Sequence, residues 1–159
     1  MKTAYLSLGS NLDDRQANLR RALELLASPE IHIQRTSSLY ETEPQDLQRQ
    51  PWFLNLVVEI QTTLFPLQLL GRIQRIEKEL GRQRMIDKGP RTLDIDIVLF
   101  GNSVIETPRL HVPHPRMQDR RFVLEPLAEL APELRHPLTR RTIREMLAAT
   151  AAQKVSRVT

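Results

Sequence analysis

The sequence predicts an α+β fold, an antiparallel sheet with helices packed on one face. Two kinds of pattern carry that expectation. Several stretches alternate apolar and polar residues with the period of two expected of a half-buried strand, and two others repeat apolar residues at helical spacing. In chain order they read β-α-β-β-α-β, the split βαβ or ferredoxin-like plan, followed by a C-terminal helical extension. The 159 residues suit a single domain, 1–159, with a core that needs no staples.

The first strand runs from Lys2 to Leu8, with Ala4, Leu6 and Leu8 on one face and Thr3, Tyr5 and Ser7 on the other. Gly9-Ser10-Asn11 reads as a turn into a helix, with Asp13 or Asp14 placed to cap it. Leu19, Ala22, Leu23 and Leu26 form that helix's apolar face, and Ser28-Pro29 ends it. Ile31 to Thr42 reads as one further strand, and residues 43 to 51 as a polar loop with two prolines. Phe53 to Thr62 alternates clearly: Leu54, Leu56, Val58 and Ile60 face the core, while Phe53, Asn55, Val57 and Glu59 face away. Pro66 opens the second helix at its favoured first position, with Leu69, Ile73, Ile76 and Leu80 as its stripe and Gly81 as its C′ residue. Beyond Asn102 come a proline-rich segment, a helix over Phe122 to Leu130, and a last helix starting near Thr139. Thr142 and Glu145 form that helix's capping box, and Ile143, Met146 and Leu147 its buried stripe. Residues 153–159 read as a frayed tail.

The chemistry concentrates in GPRTLDIDIVLFG, Gly89 to Gly101. Leu93, Ile95, Ile97 and Leu99 alternate with Asp94, Asp96, Val98 and Phe100, so the two aspartates share a face about 6.6 Å apart. Adjacent carboxylates repel each other. An open, solvated sheet face would tolerate them; a hard dication such as Mg²⁺, which takes one or two carboxylates plus phosphate oxygens and water, would use them. Arg91 and the basic loop before it favour the second reading. If both helices cover one face, the other stays open and gathers Thr3, Tyr5, Ser7, Phe53, Asn55, Asp94, Asp96 and Phe100.

Composition narrows the classes. The chain has no cysteine, so disulfides and thiolate metal sites are excluded. No apolar run approaches the roughly 20 residues of a membrane helix, and Met1-Lys2-Thr3 runs straight into a strand rather than a signal peptide. A soluble, cytoplasmic protein is expected. Between Arg82 and Arg121 eight Arg or Lys face five Asp or Glu, so most of the net charge of +4 sits around the Asp pair. That balance suits a polyanion carried with a divalent metal, and equally nucleic acid. No GxxxxGK[ST] and no GxGxxG occurs, so phosphates would be held by side chains and metal.

Phe53 on a polar strand face beside Asn55 could stack on and hydrogen-bond a flat heterocycle. His111 and His114 lack a third ligand at zinc spacing, which favours phosphate contacts. An RNA-binding domain shares this fold class, but only seven aromatics are present and two aspartates would repel phosphates. A regulatory ligand-binding domain leaves the arginines around the Asp pair unexplained.

LGSNL (Leu8–Leu12), FLN (Phe53–Asn55), QRIE (Gln74–Glu77) leading to GRxR (Gly81–Arg84), GPRTLDIDIVLFG, and VPHPRMQDRRF (Val112–Phe122) resemble, in the same order, the 6-hydroxymethyl-7,8-dihydropterin pyrophosphokinases of folate biosynthesis. The resemblance covers nearly the whole chain. It implies transfer of pyrophosphate from ATP to the pterin hydroxymethyl, with ATP as co-substrate and two Mg²⁺ ions on Asp94 and Asp96. It implies a catalytic set of Arg82, Arg91 and Asp96. Gln74, Glu77, Arg84, Ile97, Arg109, His111, His114 and Arg120 would line the ATP site. Thr42, Pro44, Phe53, Asn55 and Phe122 would hold the pterin. The expected partners are ATP and a hydroxymethyl-dihydropterin, bound by a monomer with no nucleic acid and no membrane. Lys88 stands where an aromatic often precedes the Gly-Pro-Arg, and Gln45-Asp46-Leu47 follows Pro44 where many members have a glycine.

Overall fold

A computed structural model describes residues 1–43, 51–81 and 92–158. The elements follow in chain order as β1 (Lys2–Ser10), α1 (Arg15–Leu26), β2 (Ile31–Thr36), β3 (Tyr40–Thr42), β4 (Phe53–Thr62), α2 (Pro66–Glu79), β5 (Asp94–Phe100), β6 (Ile105–Glu106) and β7 (His111–Val112). A 3₁₀ turn (Met117–Asp119), α3 (Arg121–Leu130), α4 (Ile143–Ala148) and β8 (Val155–Arg157) complete the chain. The main sheet is antiparallel in the order β5-β1-β4-β3-β8, with β2 also pairing β4. Thus β4 lies between the strands that α1 joins, and β1 between those that α2 joins. Among the described residues no helix is long and apolar enough to cross a membrane.

Local chemistry explains the helix ends. Asp14 caps α1, its carboxylate accepting the Ala17 N–H at 3.1 Å. Gly81 takes φ 77° just past α2, the left-handed conformation a glycine adopts without steric cost. Thr142 and Glu145 form the expected capping box, each side chain bonding the other's backbone N–H, so α4 begins at Ile143 rather than at Thr139.

One face of the sheet meets α1 and α2, burying Ala4, Leu6, Leu8, Leu56, Ile60 and Ile95 against Leu19, Leu26, Leu69 and Ile73. The other face departs from expectation, because it is covered in part. Tyr5, Val57, Val98 and Leu99 pack under Met117, Val123, Leu124, Leu127, Ile143 and Met146, so the C-terminal extension forms a third layer. Phe100 does not share this face with the aspartates. The register between β1 and β5 shifts between Tyr5 and Leu6, and the bulge at Val98 sends Leu99 to the second core and Phe100 to the first.

Three further expectations are corrected. Gly9 and Ser10 extend β1 instead of turning, because both continue its pairing with β4. Ile31 to Thr42 is two strands, both paired with β4 and separated around Ser37, whose N–H bonds the Val57 carbonyl. Within 153–159, Val155–Arg157 is not frayed: it adds β8 to β3.

The hairpin between α3 and α4 turns around His136, which is buried and accepts the Leu138 and Thr139 N–H groups on Nδ1, each at 3.2 Å. Burial holds this imidazole below its ordinary pKa of 6.5. The folded state therefore favours the neutral ring, and stability is fully present above the unfolded value and lost as pH falls below it. Unfolding free energies measured in urea between pH 7 and 5 should fall more steeply in wild type than in His136→Gln, by up to about 1.4 kcal/mol per pH unit for one proton. Equal slopes would show that His136 is not held neutral.

Candidate active site

One end of the second face lies beyond the second apolar core, and there three strands set polar side chains in rows. In register, Gly9 of β1 lies between Asn55 of β4 and Asp94 of β5; in the next row Ser7 lies between Val57 and Asp96. Asn55 and Asp94 are two strand spacings apart, roughly 10 Å, with only a glycine between them. Asn55 is 3% exposed, and its Nδ2 donates to Thr42 Oγ1 at 2.7 Å. Its Oδ1 leans over Gly9, where a Cβ would lie 2.7 Å from it and 3.6 Å from the Phe53 ring. An asparagine amide carries two N–H donors and an acceptor oxygen, so the Thr42 bond leaves one N–H and Oδ1 to pair with a complementary planar edge. Phe53 flanks this amide two residues away, half-buried, and is paired in register with Thr42.

Asp94 and Asp96 are both half-buried on edge strand β5. Between them the Ile95 N–H donates to Glu77 Oε2 at 2.9 Å, so a buried carboxylate from α2 clamps the backbone that carries the pair. On the same strand edge, the His114 N–H donates to the Val98 carbonyl at 2.9 Å. His114 Nδ1 accepts the Arg116 N–H at 3.2 Å, which leaves the ring proton of the neutral imidazole on Nε2. Burial, with Arg120 and Arg116 nearby, pushes its pKa down to about 4 against the opposing pull of Asp94. Arg120 stands over the Phe122 ring, its guanidinium carbon 5.4 Å from the centroid, a cation–π contact at the start of α3.

The structure thus brings together Thr42, Phe53, Asn55, Asp94 and Asp96 on one shelf, and places His114 within electrostatic reach of Asp94 and Arg120. Gln74, Arg109 and His111 are exposed, Gln74 on α2 and the other two at the β6–β7 hairpin. The Ile97 side chain packs in the first core, away from the aspartates. Pro44, Arg82, Arg84 and Arg91 lie outside the described residues. Gly9 is not among the expected site residues, because Gly9-Ser10-Asn11 reads as a turn; its signal in the sequence is a glycine two residues beyond Ser7 on the polar face. Among the described residues no cluster of three or more His, Asp or Glu side chains could hold a metal ion; Asp94 and Asp96 stand as a pair on β5.

The family model described as 7,8-dihydro-6-hydroxymethylpterin-pyrophosphokinase (HPPK) matches residues 5–132. A 2-amino-4-hydroxy-6-hydroxymethyldihydropteridine pyrophosphokinase of Bacillus subtilis is 49% identical over 137 residues, covering 86% of this chain and 82% of that protein. The folic acid synthesis protein fol1 of Pneumocystis carinii is 46% identical over 138 residues; they make up 87% of this chain, which spans about a fifth (19%) of that longer protein. A crystal structure of Plasmodium falciparum HPPK-DHPS superimposes with a TM-score of 0.79 at 20% identity, over 95% of this chain and 46% of that one, a likeness of fold. The chain belongs to the 7,8-dihydro-6-hydroxymethylpterin-pyrophosphokinase family.

The environment of His114 makes a direct prediction for the ligand-free protein. Followed by NMR, its ring should protonate near pH 4, and neighbouring shifts of Arg116 should move with it. A midpoint at the ordinary 6.5 would mean that the ring is not buried beside Arg120 as described.

Proposed function

We propose that this chain transfers the pyrophosphoryl group of ATP to the hydroxymethyl group of 6-hydroxymethyl-7,8-dihydropterin in a Mg²⁺-dependent reaction, releasing AMP. Membership of the family and the names of the relatives support the reaction class and the pterin. The observation that carries the reading to this chain is the row Asn55–Gly9–Asp94, with Asp96 beside it. It sets a planar hydrogen-bonding group and a carboxylate pair on one surface, separated by the space of a missing side chain.

In this reading Asn55 reads the pterin's amide-like edge with its remaining N–H and Oδ1, while Thr42 holds the amide upright. Phe53 and Phe122 offer ring faces to the heterocycle. Asp94 and Asp96 fit Mg²⁺, since their oxygens are hard donors presented on one strand face, and one or two ions would be held there. Bound ions would offset phosphate charge and align the chain of phosphates for in-line displacement. His114 presents its Nε2–H to a phosphate oxygen as a neutral donor, and Arg120 adds positive charge nearby. Arg82, Arg84 and Arg91 are assigned to the phosphates from their motifs. Phosphoryl transfer through a loose transition state asks mainly for positioning and charge, so no strong base is required on the hydroxyl.

Incubation with Mg²⁺, ATP and the hydroxymethyl-dihydropterin, with nucleotides resolved by chromatography, should give AMP one-to-one with pterin diphosphate. ADP with a monophosphorylated pterin, or no pterin-dependent nucleotide product, would refute the assignment. Asp94→Ala and Asp96→Ala should each lower turnover by several orders of magnitude, at about 1.4 kcal/mol per decade, while the fold persists.

Gly9→Ala tests recognition separately. Its Cβ would stand 2.7 Å from Asn55 Oδ1, so the amide must turn away. Pterin affinity measured by calorimetry should fall about tenfold, near the 1–3 kcal/mol cost of an unpaired polar edge, with affinity for a non-hydrolysable ATP analogue unchanged. Unaltered pterin binding would mean that the Asn55 amide does not read the ring.

A further inference from the structure

Residues 151–158 do more than end the chain. Gln153 Nε2 donates to the Asp119 carbonyl at 2.6 Å, and its Oε1 accepts the Arg121 N–H at 3.0 Å. One side-chain amide therefore grips the backbone on both sides of Arg120, one residue before Phe122. Arg121 returns the contact, its Nη1 donating to the Gln153 carbonyl at 2.6 Å. Two residues later Val155 pairs with Thr42, then Ser156 with Glu41 and Arg157 with Tyr40, and the Val158 N–H bonds the Leu39 carbonyl at 2.8 Å. Thr42 in turn holds the Asn55 amide.

We propose that this C-terminal segment is a strap that sets the spacing between the two walls of the pterin subsite, with Gln153 as its positioning residue. Two residues of extended chain span at most about 7 Å from Gln153 to Val155, so while both ends of the strap are bonded the backbone at Arg121 stays tethered to Thr42 by that short link, one side-chain length and one strand spacing. Arg120 and Phe122 ride on the first anchor, Thr42 and Asn55 on the second. A second tie runs parallel to it: Glu129 at the far end of α3 accepts the Tyr40 hydroxyl at 2.6 Å and the Ser38 N–H at 3.1 Å. With α3 fixed to β3 at that end by Glu129, the strap governs its N-terminal end. The family match ends at residue 132, before the strap begins. The pterin part of the inference rests on the proposed function; the strap itself rests on the bonds above.

The test uses the full chain with Gln153→Met, which keeps the side-chain length and loses both hydrogen bonds, and Gln153→Glu, which keeps the acceptor for Arg121. Pterin and a non-hydrolysable ATP analogue are titrated by calorimetry, and amide hydrogen exchange is followed at 119–123 and 40–42. In Gln153→Met, pterin affinity should fall roughly tenfold with nucleotide affinity within about twofold. Amides in both segments should exchange faster together. Gln153→Glu should recover part of the pterin affinity. Equal losses for both ligands, or faster exchange spread through the sheet, would reduce Gln153 to a general stabiliser and overturn the proposal. Unchanged pterin affinity with unchanged exchange would overturn it as well. If wild type binds no pterin, the proposed function fails; joint exchange at 119–123 and 40–42 in Gln153→Met would still establish the strap, and its absence would refute it.

Discussion

The structure depends on a single constraint, that β1 has to satisfy two cores at once. Flanked by β5 and β4, it is buried from Ala4 to Ser10. Ala4, Leu6 and Leu8 supply the face under α1 and α2. On the other face the side chains shrink along the strand from Tyr5 to Ser7 to Gly9. The large end meets α3 and α4, while at the small end Gly9 has no side chain and the Asn55 amide leans over its backbone. The shelf is thus a consequence of graded side-chain size on the central strand, and the neighbours follow suit. β4 steps from Val57 to Asn55 and β5 from Val98 to Asp96 and Asp94, so apolar packing gives way to polar groups at the same level on three strands.

The polar end is held by hydrogen bonds among its own groups. Glu77 Oε2 accepts the Ile95 N–H, the Thr42 hydroxyl accepts an N–H of the Asn55 amide, and His114 Nδ1 accepts the Arg116 N–H. Each of these bonds fixes the orientation of a group beside it, because a buried donor or acceptor left unpaired costs about 1–3 kcal/mol. The result is that the amide, the backbone between the two aspartates and the neutral imidazole are each held by a bond within the protein itself.

Much of this was legible in the sequence. Alternation identified the strands and put Asn55, Asp94 and Asp96 on one face, and helical spacing with Pro66, Gly81 and the Thr142–Glu145 box identified the helices. What could not be read depended on pairing between distant segments. The bulge at Val98, which exchanges the faces of Leu99 and Phe100, exists only in the register of β5 against β1. The covering of the second face required Val57 and Val98, apolar on the supposedly open side, to be matched with the stripe of α3. Glu77 stands in the QRIE motif, and nothing in the sequence shows that its Oε2 accepts a backbone N–H eighteen residues away. Val155 to Arg157 is too short and mixed to announce a strand until β3 offers it an edge.

The ties that fix β3 also give it a characteristic weakness. Burial alone would raise the pKa of Glu129, but the Tyr40 hydroxyl, the Ser38 N–H and hydroxyl, and the positive charge of Arg157 outweigh burial and hold it below its ordinary 4.5. The same pairing, with burial as the larger cause, lifts the Tyr40 hydroxyl well above its usual 10. The stabilisation Glu129 contributes is complete above the unfolded pKa and is lost as pH falls through the lower folded value. Protonation there weakens an acceptor shared by three donors, and those donors sit at the start of β3, the strand that anchors both Thr42 and the strap. The carboxylate pair hangs on the opposite edge strand by a separate bond to Glu77. Acid should therefore loosen the Asn55 side of the shelf through a path that does not pass through Asp94 and Asp96. Asn55 and Asp94 thus hang on different ties although Gly9 alone separates them in register.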